Sequence, residues 1–130
     1  MREILFRGKR TDNGEWIKGY YASIGEYHYI LTGQLALVPY LGFEHFLVNP
    51  DTVGRFTGLT DKNGTKIFEG DIVKYDEELY SVVYEPDVGM FELCGDGFAA
   101  DFSYIDSSIF CEVVSNIHDN PELMEVSGNE

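Results

Sequence analysis

The stretch from Asp51 to Val73 constrains the fold of this chain more than any other part of the sequence. Val53 to Leu59 is rich in residues that favour strands, Asp61 to Gly64 is a turn signal, and a second apolar run begins at Thr65. An Asn-Gly pair between two such runs is typical of a β-hairpin, because both residues tolerate the positive φ angles of a type I′ turn. The stretch therefore predicts a strand, a tight Asn-Gly turn and a returning strand.

A similar hairpin signal occurs 50 residues earlier in the chain. Five residues repeat at this offset: Phe6, Gly8, Asn13, Gly14 and Ile17 recur as Phe56, Gly58, Asn63, Gly64 and Ile67. The repeat predicts that one physical unit, a strand, an Asn-Gly turn and a second strand, occurs twice within one β architecture.

Turn signals separate strand-like runs along the rest of the chain, about ten in all, at the spacing of an all-β sandwich or barrel. The last predicted strand is Ile109 to Val114, and it follows an acidic, aromatic loop from Gly95 to Asp106. No segment has the periodicity of a three-turn amphipathic helix, and Pro121 begins one helical turn that Asn120 caps. We predict an all-β fold in which short antiparallel strands form a sandwich or a partly open barrel, with at most one short C-terminal helical turn.

The length of 130 residues predicts a single domain. We expect it to span residues 1–125, with residues 126–130 as a flexible tail, and the repeat leaves open a division into two similar lobes, residues 1–50 and 51–120. No apolar run in the sequence is long enough for a membrane span, and its beginning lacks the apolar core of a signal peptide. We therefore expect a cytoplasmic protein that does not bind membranes.

The charge of the chain is unevenly distributed. The formal net charge is −14, yet residues 1–74 contain nine basic and nine acidic residues, whereas residues 75–130 contain fourteen acidic residues and no Lys or Arg. Three interpretations remain open: self-repulsion that keeps an acidic protein soluble, a charge-complementary contact between the basic N-terminal strand of one subunit and the acidic half of another, and an acidic nucleic-acid mimic that sequesters a basic host protein. Direct nucleic-acid binding is disfavoured, because no basic stripe neutralises phosphates.

Three sequence blocks are distinctive: the opening hairpin around Phe6-Arg7-Gly8-Lys9, the stretch from Asp51 to Val73, and Asn116 to Leu123. Together they resemble the YopX family of phage and prophage proteins. The resemblance implies an all-β domain that is encoded by a phage or prophage and assembles as a homo-oligomer, and it implies no catalytic residue. Residues 34–43 and 96–108 resemble the family least, so we expect this member to differ in its partner there.

Aromatic side chains are concentrated on the first predicted strands, with Arg residues near them. Tyr, Trp and Arg are the residues that interface hot spots favour. We predict that seven residues form an interface, most simply between identical subunits: Arg7, Trp16, Tyr20, Tyr21, Tyr27, Tyr29 and Arg55.

Glu69, Gly70 and Asp71 interrupt the returning strand of the second hairpin. Two carboxylates that flank a glycine are either a cation or partner site or a structural corner, in which Asp71 accepts hydrogen bonds from backbone amides. We favour the structural corner, because a hard cation takes six or more oxygen ligands from several loops.

No spacing in the sequence is typical of a catalytic, cofactor or metal site. The three His residues are far apart, and Cys94 and Cys111 form no Cys-x-x-Cys pair and are expected to be free thiols. We therefore expect no catalytic, cofactor-binding or metal-binding residue. The favoured function is that of a non-enzymatic accessory protein, encoded by a phage or prophage, that self-assembles and binds an unknown host or phage protein. The acidic mimic is the first alternative, and a small hydrolase or metal-dependent enzyme is the second.

Overall fold

Short antiparallel strands make up most of the computed structural model of this chain, which describes residues 5–32, 44–95 and 98–124. The all-β prediction is confirmed. The segment 34–43 and the tail 126–130, both singled out in the sequence, lie outside the described residues.

The chain divides into two compact units, Met1–Phe56 and Thr57–Glu130. The division falls inside a strand, whereas the lobes inferred from the repeat meet between residues 50 and 51.

Five strands follow one another along the first unit: β1 (Phe6–Lys9), β2 (Trp16–Ile24), β3 (Tyr27–Thr32), β4 (Glu44–Leu47) and β5 (Gly54–Thr60), which continues into the second unit. Their order in the sheet is β4-β3-β2-β1-β5, and the neighbouring strands are antiparallel. Gly25 begins the two-residue turn between β2 and β3 with a φ of 60°, which glycine adopts without strain. Among the described residues of this unit, the large buried apolar side chains are Ile30, Val48 and Phe56.

The second unit contains the end of β5 beside β6 (Lys66–Phe68), and a separate five-stranded sheet. The order of that sheet is β10-β9-β8-β7-β11, and its strands are β7 (Asp71–Tyr75), β8 (Glu78–Glu85), β9 (Met90–Gly95), β10 (Phe98–Asp101) and β11 (Cys111–Asn116). A buried hydrophobic cluster of this unit consists of Ile67, Val73, Val82, Leu93, Phe102 and Cys111, and Phe68 and Ile72 are also buried. Among the described strands the sheets are open at their edges, and none closes into a barrel.

Helical structure in the described residues is limited to single turns: α1 (Ser107–Phe110) and 3₁₀ turns at Pro50–Thr52, Phe102–Tyr104 and Pro121–Met124. The turn at Pro121 confirms the predicted C-terminal turn. Two local predictions are wrong. Ile109 and Phe110 belong to α1 because both backbone amides donate to the Asp106 carbonyl, at 3.1 and 3.0 Å, and the predicted loop from Gly95 to Asp106 contains strand β10.

The Asn-Gly turns do not adopt the type I′ geometry that this pair tolerates. Gly14 and Gly64 have positive φ angles of 74° and 83°, but Asn13 and Asn63 do not. In the first turn the Asn13 Oδ1 instead accepts a hydrogen bond from a backbone amide two residues later, at 2.9 Å. This side-chain contact stabilises a turn in which only the glycine needs a left-handed conformation.

Candidate binding surface

One face of the β2–β3 hairpin exposes large apolar side chains. Successive side chains of a strand point to opposite faces, and residues paired across an antiparallel ladder share a face. Tyr20 pairs with Leu31, and Ile24 pairs with Tyr27, so these four residues lie on one face. The exposed fractions are 49% for Tyr20, 70% for Ile24 and 53% for Tyr27. The hairpin therefore presents large apolar groups to its surroundings.

The same face continues onto the neighbouring strands. Leu47 of β4 pairs with Tyr29 and is also exposed. On the other side, Arg7 pairs with Lys18 and Lys9 pairs with Trp16, which adds basic side chains. The described residues of β1 to β4 on this face include no carboxylate. We call this surface the aromatic face, and its exposed members on the described strands are Lys18, Tyr20, Ile24, Tyr27, His45 and Leu47.

The structure places five of the seven predicted interface residues on the aromatic face: Arg7, Trp16, Tyr20, Tyr27 and Tyr29. Tyr21 and Arg55 lie on the opposite face, where both contact Phe6. The ring centroids of Tyr21 and Phe6 are 5.4 Å apart, and the Arg55 guanidinium carbon is 5.6 Å from the centre of the Phe6 ring. The seven residues are therefore divided between two surfaces.

Arg7 and Trp16 form the inner part of the aromatic face. Arg7 is 8% exposed, and its guanidinium carbon lies 4.7 Å from the centre of the Trp16 ring, which is half-buried. The Lys9 Nζ lies 5.6 Å from the same ring. Cations over an aromatic ring attract its negative face. Arg7 therefore holds Trp16 in position, whereas Tyr20 and Tyr27 are exposed aromatic side chains of this face.

Tyr21 has an internal role on the opposite face. Its hydroxyl lies 2.5 Å from the His28 Nδ1, a short hydrogen bond, and the two rings are stacked with centroids 5.8 Å apart. Because this contact pairs the polar ends of two half-buried rings, it stabilises the β2–β3 ladder.

Glu69, Gly70 and Asp71 form a sharp turn between β6 and β7. Asp71 is 2% exposed, and its Oδ2 accepts a hydrogen bond of 2.7 Å from the Phe68 backbone amide. Gly70 has a φ of 94°, and its amide donates to the Val82 carbonyl at 2.8 Å. Glu69 is half-buried. The Asp71 carboxylate therefore accepts a hydrogen bond from the backbone beside the turn, which is the geometry expected of a structural corner.

The Asp61 carboxylate binds three backbone amides, although the sequence predicted Asp61 only as part of a turn. It is 3% exposed; its Oδ1 accepts from the amides of Asn63 and Thr65, both at 2.9 Å, and its Oδ2 accepts from the Val113 amide at 2.8 Å. Burial acts to raise the pKa of Asp61, but the three backbone hydrogen bonds outweigh it and the pKa is lowered. The two contacts within the turn could have been predicted from the sequence, because Asp61 begins an Asp-Lys-Asn-Gly turn. No sequence feature indicated the contact with Val113.

The whole described chain matches a known protein family. The model of the family described as "YopX protein" matches residues 5–125. The chain belongs to the YopX family. This confirms the resemblance seen in its three sequence blocks.

A solved structure supports the fold of this YopX-family protein. The crystal structure of protein EF1440 from Enterococcus faecalis superposes with a TM-score of 0.58 at 23% sequence identity, and the match covers 96% of this chain and 100% of that chain. At this identity the likeness shows the fold alone. No curated protein gives a significant match.

The described residues of this YopX-family protein contain few features of a chemical site. In residues 5–32, 44–95 and 98–124, no three His, Cys, Asp or Glu side chains come close enough to hold a metal ion. None of the described helices has the length and apolarity needed to cross a bilayer. Cys94 and Cys111 are free, and burial raises the pKa of Cys111 to about 11, which keeps this thiol protonated at neutral pH.

An open depression of 430 Å³ lies in the first unit beside the β1–β2 turn. Arg10 is at its edge, but its guanidinium is bound by Asp12 through two contacts, Nε to Oδ1 at 2.9 Å and Nη2 to Oδ2 at 2.6 Å. The hydrogen bond with Arg10 lowers the pKa of Asp12. The described lining has no carboxylate, imidazole or thiol and consists of Lys9, Arg10, Thr11, Gly14, Asn49, Pro50 and Thr52.

A second surface with exposed apolar side chains lies in the second unit, and the sequence interpretation did not find it. Residues 101–110, which we call the acidic-apolar segment, connect β10 to β11. Tyr104 is 88% exposed, Ile109 60% and Phe110 58%. Asp101 and Asp106 lie among them. The sequence indicated an acidic, aromatic loop from Gly95 to Asp106 and a weak resemblance of residues 96–108 to the YopX family, but it did not indicate which side chains are exposed.

Proposed function

We propose that this protein is a non-enzymatic accessory protein, encoded by a phage or prophage, that acts in the cytoplasm by binding macromolecules and assembling with itself. The observation that carries the proposal is the aromatic face, where Tyr20, Ile24 and Tyr27 are about half exposed or more. Exposed apolar patches of this kind mark interaction sites in soluble proteins, and Tyr is among the residues that dominate binding energies. A macromolecule fits this surface better than a small molecule, because small molecules bind in concave pockets.

The experiment that tests the proposal combines affinity capture with a measurement of mass in solution. Tagged protein is used to capture partners from a host lysate and from an infected lysate, at low and high salt, and the purified chain is examined by light scattering after size-exclusion chromatography. The double variant Tyr20→Ser/Tyr27→Ser removes the centre of the aromatic face. We expect it to lose captured proteins or self-association that the natural sequence shows.

The matched control is Val88→Ser, because Val88 is 56% exposed but lies in the β8–β9 turn. We expect this variant to behave like the natural sequence. If the double variant keeps every captured protein and the same mass, the aromatic face is not the binding surface and the proposal fails.

A second candidate function is an acidic mimic of nucleic acid that sequesters a basic host protein. The observation that favours it is the absence of Lys and Arg from residues 75–130, which contain fourteen acidic residues. Binding of this kind falls steeply with salt. Capture of a nucleic-acid-binding protein that is lost at high salt and is competed by DNA supports the mimic, whereas capture that survives high salt argues against it.

A further inference from the structure

We infer that the aromatic face binds a second copy of this chain, and that the part of the second copy that it binds is the acidic-apolar segment. This inference rests on the proposed self-assembly and goes beyond it, because it names the two surfaces that meet. Three observations carry it: the exposure of the segment, the way its backbone is fixed, and the complementary charge of the two surfaces.

The acidic-apolar segment exposes its large side chains although its backbone is anchored. Phe102 is 1% exposed and belongs to the core of the second unit. Ser107 is 4% exposed, and its hydroxyl donates to the Thr60 carbonyl at 2.9 Å. These two anchors fix the segment between them, so the exposure of Tyr104 does not come from a loose loop. A surface whose apolar groups are already held in place loses little conformational entropy on binding.

Hydrogen bonds to two Asp residues fix the beginning and the middle of the segment in the same way. The Asp101 Oδ1 accepts hydrogen bonds from the Ser103 amide at 2.9 Å and from the Ser103 hydroxyl at 2.7 Å. The Asp106 Oδ1 accepts from the Ser108 hydroxyl at 2.6 Å, and the Asp106 carbonyl accepts from two amides of α1. The carboxylates therefore have defined positions beside the exposed rings, and both add negative charge to the segment.

The charges of the two surfaces are opposite. The aromatic face carries Lys18 at its exposed part and Arg7 and Lys9 farther in, and the described strand residues on this face include no carboxylate. The acidic-apolar segment carries Asp101 and Asp106, and residues 75–130 contain no Lys or Arg. Apolar side chains on both surfaces supply the driving force for contact, and opposite charges favour this pairing over the contact of either surface with its own kind.

The occupant is a second copy because one chain carries both complementary surfaces and leaves both open. The exposed fractions of Tyr20 and Tyr104 are 49% and 88% in the complete chain. Each is therefore available to another molecule. A contact between two different surfaces of identical subunits is heterologous, and it closes into a ring or a reciprocal dimer or continues as a chain.

Photo-crosslinking tests which surfaces meet. Tyr104→p-benzoylphenylalanine places the reactive group at the most exposed ring, and an equal mixture of ¹⁴N- and ¹⁵N-labelled full-length chains distinguishes crosslinks between copies from crosslinks within one. We expect crosslinks between copies that map to β2 and β3. The control is Asn63→p-benzoylphenylalanine, at an exposed turn of the same unit, which we expect to give none there.

A pair of opposite charges at one position tests the complementarity. Ile109 is 60% exposed, so Ile109→Glu and Ile109→Lys both leave the core untouched. Both remove the same apolar contact, and we expect each to weaken self-association about tenfold or more. In the inferred contact, residue 109 lies near Lys18 of the other copy. Self-association of Ile109→Lys is therefore expected to be weaker than that of Ile109→Glu by up to about fivefold at low salt, and high salt removes the difference. When Lys18→Glu is added to both variants, Ile109→Lys is expected to associate more strongly than Ile109→Glu.

The outcomes separate the inference from the proposed function. Association that is unaffected by Tyr104→Ser and Ile109→Lys, or crosslinks between copies that map outside β1 to β4, overturns the inference and leaves self-assembly standing. A chain that remains monomeric at every accessible concentration overturns both the inference and the self-assembly part of the proposed function. Circular dichroism of each variant establishes that a loss of association does not come from a loss of fold.

Discussion

A single buried carboxylate, Asp61, connects two segments of the second unit that are 52 residues apart in sequence. It accepts hydrogen bonds from two amides of its own turn and from the Val113 amide of β11. Hydrogen bonds to a charged acceptor are about twice as strong as those between neutral groups. At the residue scale, the stability of the second unit therefore depends on the charge of this side chain as well as on its shape.

We predict that Asp61→Asn destabilises the protein by about 2–3 kcal/mol at pH 7. The substitution conserves volume, but the amide nitrogen that replaces one carboxylate oxygen is a donor and faces either the Val113 amide or the two turn amides. Urea denaturation followed by circular dichroism measures the change. The control Asp87→Asn, at an exposed turn residue, is expected to change the free energy of unfolding little.

The same residue predicts a pH dependence with a definite sign. The folded pKa of Asp61 lies below the ordinary value of an Asp side chain, because three backbone amides donate hydrogen bonds to its carboxylate, so the folded state favours the charged form. The stabilisation is complete above the unfolded pKa and is lost as the pH falls through the folded pKa. The stability difference between the natural sequence and Asp61→Asn is therefore expected to shrink below about pH 4. A difference that stays constant down to pH 2 would contradict this explanation.

At the scale of elements, the β7–β8 hairpin has an unusual turn. Asp76 and Glu77 are its two central residues, since Tyr75 pairs with Glu78, and their φ angles are 53° and 70°. Positive φ at both positions is the pattern of a type I′ turn, which favours Asn-Gly or Asp-Gly. The chain therefore has a side chain at the position where glycine is preferred.

We predict that Glu77→Gly stabilises the protein by about 0.5–1 kcal/mol, because a non-glycine residue in the left-handed region costs about 1 kcal/mol. The lost contact between Glu77 and Lys74, 4.0 Å apart at the surface, contributes little. The matched control is Glu78→Gly, which removes the same charge from the first residue of β8 and is expected to destabilise the strand. Thermal unfolding measures the melting temperatures of both variants. Equal changes in melting temperature for Glu77→Gly and Glu78→Gly would contradict the explanation.

At the scale of the whole molecule, the net charge of −14 acts against folding. The excess lies in residues 75–130, so like charges meet within the second unit. Salt screens repulsion between exposed charges over distances greater than about 10 Å at 0.1 M. We expect the melting temperature to rise as sodium chloride increases from low to physiological concentration, and scanning calorimetry measures this. The variant Glu77→Gln/Glu78→Gln/Asp87→Asn is expected to show a smaller rise. A melting temperature that falls with salt would mean that attractive pairs dominate.

The hairpins, the turns and the all-β class were predictable from the sequence because they depend on neighbouring residues. Strand propensity, period-two alternation and glycine at turns are local properties, and they placed β1, β2 and β5 correctly. The turn at Asn13 does not adopt type I′ geometry, because the Asn side chain binds its own turn and leaves only Gly14 with positive φ. The strand prediction at Ile109 failed, because the Asp106 carbonyl accepts hydrogen bonds from the amides of Ile109 and Phe110 and so forms a helical turn.

The sequence by itself determined the chemistry of this protein: its aromatic strands, its acidic second half and its membership of the YopX family. Only the tertiary structure decided where that chemistry lies. Pairing between strands separated Tyr20 and Tyr27 from Tyr21, and packing buried Arg7 and exposed Tyr104. The physical reason is that burial and strand register depend on contacts between residues far apart in the chain, which local propensities do not contain.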